Sequence, residues 1–330
     1  MSPPFTSSLI AETARELGIE LFLEPKFGYA GRVTYPSGSR RFFHLATMDC
    51  NGAAAARIAS DKDYTSFFLK SLGYSVPEGE AFFSDQWCLI NNTSNNLSAA
   101  LDYATTIGYP VIVKPNARAQ GNGVSLVEDR NFLEQALGEL FYDNNIVLVQ
   151  KVIHGRDYRA IVYKDSAPIF YERTPLSVVG DGNKTVRELL EAKLSHLKKG
   201  GRGVKIVPND TRISNCLTRN YGLDLDSRPR SGQLLRLLDN ANLSAGGDAV
   251  DLSTEVHQSL RNTAIQIARD AGLTFAGIDI MTKESVTGPI SQYTVLEVND
   301  HPGLEHYSAI GKDARNRVKA LYRLIIEDME

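Results

Sequence analysis

Residues 293–307 read YTVLEVNDHPGLEHY. In an extended strand successive side chains alternate faces, so Glu297 and Asn299 share one face inside an otherwise apolar run. An acid beside an amide in such a strand costs stability unless a ligand or cation meets the carboxylate. Pro302 and Gly303 then break the run. A second apolar strand upstream, FAGIDIM, carries Asp279. Adjacent antiparallel strands would bring Asp279, Glu297 and Asn299 together as oxygen ligands. Hard oxygen donors without His or Cys suit Mg²⁺, which takes few protein carboxylates and completes its octahedron with phosphates and water. Asp279 alone reads equally well as a strand-end polar group; the three together do not.

Moving outward, VIVKPNARAQGNGVSLV is a strand, a polar loop and a strand. A lysine at the strand end, Lys114, and the backbone of a loop holding Gly121 and Gly123 can face phosphates at close range. A hairpin with a surface lysine fits the same letters. No GxxxxGK[ST] and no helix-opening GxGxxG occurs, which disfavours a Walker-type or Rossmann site, so any ATP is held by another architecture. In VLVQKVIHGRDYRAIVYK an apolar strand ends at Gln150, the chain turns at Gly155, and Asp157 and Arg159 occupy alternate positions. This pattern predicts an adenine-binding edge and a ribose-binding carboxylate, or simply a hairpin with a surface ion pair.

Around these segments the periodicity predicts an α+β / α/β chain. SSLIAETARELGIELFLE reads as a helix capped at Ser7 or Ser8, stopped at Gly18 and followed by a strand. RRFFHLATMD is strand-like, and AAAARIASDKDYTSFFLKSLG is helical to Gly73. The alternation then gives an N-terminal α/β domain over 1–95, a central subdomain over 96–175 and a C-terminal subdomain over 176–330 that opens a helix at Thr254. Residues 180–247 differ in texture, with KKGGRGVK and RPRSG among helical and strand-like runs, and are read as an inserted lid.

With 330 residues the chain can build two or three sub-domains around real cores. A net charge of −3 gives no bulk basicity for nucleic acid or an anionic membrane, so small anions need local basic sites. Cys50, Cys88 and Cys216 are too scattered for a disulfide framework or a zinc site. No targeting segment and no long apolar run is evident, and a cytoplasmic protein is expected.

Taken in order, IASDKDYTSFFLKSLGYSVPEG, IGYPVIVKPNARAQGNGV, GRDYRAIV, the run from Arg173 through VVGDGNKTVRELL, NANLSAGGDAVDLSTEVH, AGIDI and LEVNDHPGLEHY resemble the ATP-grasp superfamily over residues 58–312. The nearest resemblance is to the ATP-grasp domains of cyanophycin synthetases and bifunctional glutathione synthetases. It implies an ATP-grasp fold with a short N-terminal α/β domain and an inserted lid. The implied activity is a Mg²⁺-dependent carboxylate–amine ligase that forms a peptide or isopeptide bond through an acylphosphate and releases ADP and phosphate. Amino acids or peptides are the implied substrates, and a dimer or tetramer the implied assembly, with AETARELGIELF either an interface helix or part of its own core.

Position by position, the resemblance implies that Lys62 and Lys114 bind ATP phosphates under the Gly121–Gly123 loop. Gln150 and Lys151 would line the adenine, the Ile153 backbone would meet the ring, and Asp157 the ribose. Asp279, Glu297 and Asn299 fall on the magnesium ligands, while Asn242, Ser244 and His306 fall on the substrate side. His301 and His257 read as solvated surface residues. Two departures stand out. Gln150 replaces a common glutamate, and Leu238 sits where those relatives have an arginine, four residues before Asn242. Arg236, on the same face if the segment is a strand, Arg173 and Arg159 compete for that acylphosphate-stabilising role. The chain has no room for the Mur-ligase-like or glutamate–cysteine ligase domains of these relatives, and a stand-alone ligase is expected. Two other readings stay open: a peptide-modifying ligase that needs a partner peptide, and an ATP-binding module without ligase activity.

Overall fold

The computed structural model describes residues 3–118, 121 and 123–330. It opens with α1 (Phe5–Leu17) and a four-stranded antiparallel sheet, β1 (Glu20–Leu23), β2 (Ala30–Thr34), β3 (Arg40–His44) and β4 (Thr47–Met48). The α1 helix starts two residues before Ser7: Pro4 occupies the cap, and Ser7 Oγ instead donates to the Gly28 carbonyl at 2.6 Å, tying the helix to the β1–β2 loop. Gly18 ends it in the left-handed region (φ 68°), as the sequence predicts. Leu9, Ile10 and Ala14 are buried, Leu9 and Ile10 in a core shared with Val33 and Phe43. Within AETARELGIELF, Ala14 is buried and Leu17, Ile19 and Leu21 pack against that core, while Phe22 is exposed.

Two helices, α2 (Ala53–Ala59) and α3 (Lys62–Ser71), lead into a second four-stranded sheet. Its elements are β5 (Gly79–Phe83), α4 (Asp85–Asn91), α5 (Leu97–Ile107), β6 (Val111–Pro115), β7 (Ser125–Val127), α6 (Arg130–Asp143) and β8 (Ile146–Lys151), with strand order β5-β8-β6-β7. Asn96 and Asp129 cap α5 and α6 by accepting backbone N–H groups. Ala100, Ala104, Leu133 and Leu137 from these helices pack on Val111, Val113, Val147 and Val149.

The third sheet, also antiparallel, has order β13-β10-β9-β14-β15. It begins with the hairpin β9 (Arg156–Tyr163) and β10 (Ser166–Thr174). An insert follows: β11 (Ser177–Val179), α7 (Val186–Lys199), α8 (Thr211–Tyr221) and β12 (Leu234–Arg236). The chain then returns through a 3₁₀ turn at Leu243–Ala245 to β13 (Asp248–Asp251), α9 (Gln258–Asp270), β14 (Phe275–Thr282), β15 (Thr294–Asn299), α10 (Glu305–Ser308) and α11 (Lys312–Asp328). The α9 helix starts at Gln258 rather than Thr254 because His257 caps it, Nδ1 accepting from Ser259 N.

The sheets do not divide at residues 95 and 175. β5 pairs with β8, which places it in the central sheet, and β9 and β10 pair with β14 and β13, which places them in the C-terminal one. Both are long-range pairings that local pattern does not encode. The helical and strand-like runs of 180–247 fold together: Leu190, Ile213, Leu217 and Leu235 form a core with Leu176 and Val178 just before them, and Thr185 with Glu188 makes a capping box at α7. Among the described residues no helix is long and apolar enough to cross a membrane.

Candidate active site

Alternation along the C-terminal sheet sorts its side chains. Tyr158, Ala160, Val162, Ile278, Ile280 and Val298 face one way, onto α9. On the other face Ile161, Tyr163, Tyr171 and Phe275 pack against α1 and α11. The same face then turns polar toward one end of the strands, where Asp157, Arg159, Arg173, Asp279, Glu297 and Asn299 lie on neighbouring strands. Register makes this cluster: Arg159 stands opposite Asp279, Arg173 opposite Asp157, Asp279 opposite Glu297, and Gly277 opposite Asn299. A bulge in β15 shifts the pairing between Asp279 and Ile280, so Val295 joins the apolar side while Glu297 faces Asp279. Pro302, beyond β15, folds back over Gly277, where a Cβ would lie 2.9 Å from its ring. Only a glycine in β14 lets the NDHPG turn close there.

Asp279 is 2% exposed, and both its oxygens are engaged. Arg159 donates Nε to Oδ1 and NH2 to Oδ2, each at 2.6 Å, and Arg173 NH2 donates to Oδ2 at 2.9 Å. Burial opposes the charge, but the two guanidinium groups outweigh it and hold the carboxyl below its ordinary range. Arg173 also donates Nε and NH2 to Asp157 Oδ1 at 3.1 and 2.7 Å. Asp157 has only that direct partner, and burial pushes it up to about 6. Arg159 and Arg173, two of the three arginines expected to compete for acylphosphate stabilisation, are therefore braced by aspartates.

Lys62 opens α3 behind the Asp61 cap. Its Nζ lies 3.2 Å from Glu297 Oε1 and donates to the carbonyls of Arg118 and Asn116 at 2.8 and 3.3 Å, joining the β6–β7 loop to β15. Lys114, half-buried on β6, is pushed down to about 8 by burial, with Glu297 pulling the other way and Lys62 adding to the fall. Lys62, Lys114, Arg159 and Arg173 face Asp157, Asp279 and Glu297. Four cations against three carboxylates leave room for an anion.

Gly121 has φ 68°, and a Cβ there would collide with the Asn242 amide and come within 2.7 Å of Asn240 Nδ2. The Gly121–Gly123 loop therefore touches the segment that carries Asn242 and Ser244; its member Asn122 lies outside the described residues. On β8, Gln150 is buried, whereas Lys151 is exposed and paired with Glu78 at 2.6 Å. Ile153 is half-buried in the loop after β8. His306, on α10, is half-buried, and its Nδ1 has no partner. Burial, Arg202 and Lys205 push its pKa down. His301 is exposed beside Asp300 at 2.7 Å, and hydrogen bonding to that acid raises its pKa.

Arg236 and Leu238 do not share a face. β12 ends at Arg236, which is exposed, while Leu238 is 2% exposed in the insert core. An arginine at 238 would put a guanidinium into that core. The sequence reading missed Arg202, which is 6% exposed below the Asn242–Ser244 turn; the glycine-rich KKGGRGVK gave no periodicity to mark it.

Among the described residues no three His, Cys, Asp or Glu side chains are placed to hold a metal by themselves. The donor set still fits Mg²⁺ that draws ligands from phosphates. Glu297 and Asn299 share a face and offer a carboxylate and an amide oxygen, while the buried, unpaired Asn299 Nδ2 is a donor that suits a phosphate oxygen rather than the cation. Asp279 keeps unused acceptor capacity on Oδ1, which takes a single hydrogen bond.

Known proteins resemble this chain in sequence and fold. Residues 68–179 match the family model of the D-Ala–D-Ala ligase C-terminus, and residues 237–321 that of the RimK-like ATP-grasp domain. Cyanophycin synthetase of Nostoc sp. is 30% identical over 270 residues, covering 80% of this chain and 29% of that protein. The glutathione biosynthesis bifunctional protein GshAB of Pasteurella multocida is 27% identical over 285 residues, covering 83% and 36%. The chain thus spans about a third of the length of these relatives, 29% and 36%. The crystal structure of the bifunctional glutathione synthetase from Pasteurella multocida superposes with a TM-score of 0.61 at 24% identity, covering 96% of this chain and 44% of that one. That of D-alanine–D-alanine ligase from Bacillus anthracis gives 0.51 at 17% identity, covering 84% and 69%. The fold is the ATP-grasp fold, and the chain belongs to the ATP-grasp superfamily. Within it, this chain is similar to cyanophycin synthetase and to the bifunctional glutathione protein.

Proposed function

We propose that this chain is an ATP- and Mg²⁺-dependent carboxylate–amine ligase that forms a peptide or isopeptide bond through an acylphosphate, releasing ADP and phosphate. The observation that carries the reading is the pairing of Asp279 with Glu297, and Asn299 beside them, on a sheet face met by Lys62 and Lys114. Lys62 and Lys114 bind phosphate oxygens, and the Gly121 backbone closes over them. Glu297, the Asn299 amide oxygen and the free lone pair of Asp279 would hold Mg²⁺, which would supply charge neutralisation on the transferring phosphoryl group. Arg159 and Arg173, fixed by Asp279 and Asp157, present positive charge whose geometry is set before substrate arrives. Gln150 and the Ile153 backbone line the adenine, and Asp157 takes the ribose. The folded insert excludes water from an acylphosphate that water would destroy.

The test is ADP release with Mg²⁺ across a matrix of amino acids and dipeptides, with mass spectrometry of the wells that turn over. Glu297→Ala should lower turnover by about 10²–10³-fold, the scale of a lost charge stabiliser. Undiminished turnover in that variant would sink the reading. ATP binding without ADP in any well would favour a catalytically silent module or a ligase that needs a partner peptide.

A further inference from the structure

The N-terminal sheet, far in sequence from the strands that carry the nucleotide site, has one covered face and one bare face. Leu21, Leu23, Val33 and Phe43 point inward, onto the core shared with α1 and α11. Alternation sends Glu20, Phe22, Arg32, Thr34, Arg40 and Phe42 the other way. On that outer face Phe22 is 59% and Phe42 60% exposed. Register sorts the six residues into two rows that cross β1, β2 and β3. Phe22 stands opposite Arg32 and Arg32 opposite Phe42; one step along, Glu20 stands opposite Thr34 and Thr34 opposite Arg40.

Single exposed aromatics are common on a protein surface, but two in one cross-strand row, flanked by a charged row, mark a contact face. The charged row is also incomplete within one chain. Glu20 and Arg40 are exposed, and among the described residues neither has an ion-pair or side-chain hydrogen-bond partner. They lie two strand spacings apart, about 10 Å, with Thr34 between them. Thr34 Oγ1 is buried and unpaired.

Both rows are self-complementary. A two-fold axis running along β2 lays β1 of one copy over β3 of a second copy at the same height along the strands. Glu20 then meets Arg40 of the second copy, and Arg40 meets its Glu20, so the pair forms twice. Phe22 and Phe42 meet across the copies in the same way. The two Thr34 hydroxyls face each other at the axis, where one donates to the other. Arg32 also lies near the axis, but its guanidinium leans over the Phe22 ring of its own chain, 5.6 Å from the centroid, which turns the charge aside.

We infer that the outer face of the N-terminal sheet is an isologous homodimer interface, with two copies stacked face to face at the roughly 10 Å spacing of packed sheets. The inference is independent of the ligase reading. Three short strands offer a patch smaller than the about 800 Å² per partner of a standard interface, so the expected dissociation constant is micromolar, on the order of 10 µM.

The experiment is sedimentation velocity of the full chain, from about tenfold below to about tenfold above that constant. Wild type should pass from monomer to dimer across the range. Glu20→Arg alone, or Arg40→Glu alone, sets like charges opposite each other at both ends of the row and should weaken association by at least tenfold. Mixing the two single variants restores both opposite-charge pairs, so the mixture should form a heterodimer at concentrations where each variant by itself is monomeric. A chain carrying both changes should dimerise as wild type does. Both residues are exposed, and melting curves check that each variant folds. Wild type that stays monomeric at the highest concentration overturns the inference. So does a dimer indifferent to the single reversals, or single variants that the mixture does not rescue; either result places the contact elsewhere, as in pairing along the free edge of β1, where Arg40 takes no part.

Discussion

The two faces of the C-terminal sheet are written in the same strands by alternate residues, and they behave as opposites. Ile278 and Ile280 are fully buried against α9, while Asp279 between them is just as buried and carries charge. One face is held together by apolar contact; the other is a neutralised lattice of two arginines and two aspartates that ends in Glu297 and Asn299. A core of this size tolerates the second face because the first anchors the strands. The polar face then has a geometry that no ligand must create on arrival.

Substitution on the two faces separates these roles. Asp279→Ala should cost about 4 kcal/mol in urea unfolding, since Arg159 is left buried without its paired carboxylate and Arg173 keeps only Asp157, and ATP binding should disappear with it. Ile280→Ala should cost about 3 kcal/mol through lost burial and a cavity, with ATP affinity per folded molecule unchanged. Equal effects of the two on ATP affinity would erase the distinction between the faces.

A smaller effect comes from Lys114. With its pKa depressed to about 8, the free protein loses this charge as pH rises through that value, whereas a bound phosphate favours the ammonium. ATP affinity should therefore fall above pH 8, by up to about tenfold or 1.4 kcal/mol per unit, with protons taken up on binding. The folding effect has its own sign. The folded chain disfavours the ammonium, so the penalty is fully present below pH 8 and fades as pH rises toward the ordinary lysine value. Lys114→Met should flatten the pH profile of binding; an unchanged profile would remove Lys114 from the phosphate site.

Asn299→Ala should be the mildest for folding, within about 1 kcal/mol, because Nδ2 already lacks a partner. Nucleotide binding with Mg²⁺ should weaken all the same. A large stability loss would mean that Asn299 is structural.

Much of this contrast was legible in the sequence. Period-two spacing put Glu297 and Asn299 on one face, and the polar letter in FAGIDIM marked Asp279. What was not legible is what depends on register between distant strands. The Arg159–Asp279 pairing arises from β9 and β14 meeting across 120 residues of chain, and the Arg173–Asp157 pairing from the register of the β9–β10 hairpin. The β15 bulge is invisible in YTVLEV, and so is the β5–β8 pairing that moved the domain boundary. Leu238 looked like a lost catalytic position, yet it fills the insert core, while Arg202 stayed hidden in a glycine-rich run.

The central claim is that the polar face is a metal-assisted nucleotide site, and calorimetric titration of ATP into wild type and Glu297→Ala, with and without Mg²⁺, tests it most directly. Wild type should bind ATP tightly only with Mg²⁺, and Glu297→Ala should lose most of that dependence. Equal binding by both proteins, indifferent to Mg²⁺, would contradict it.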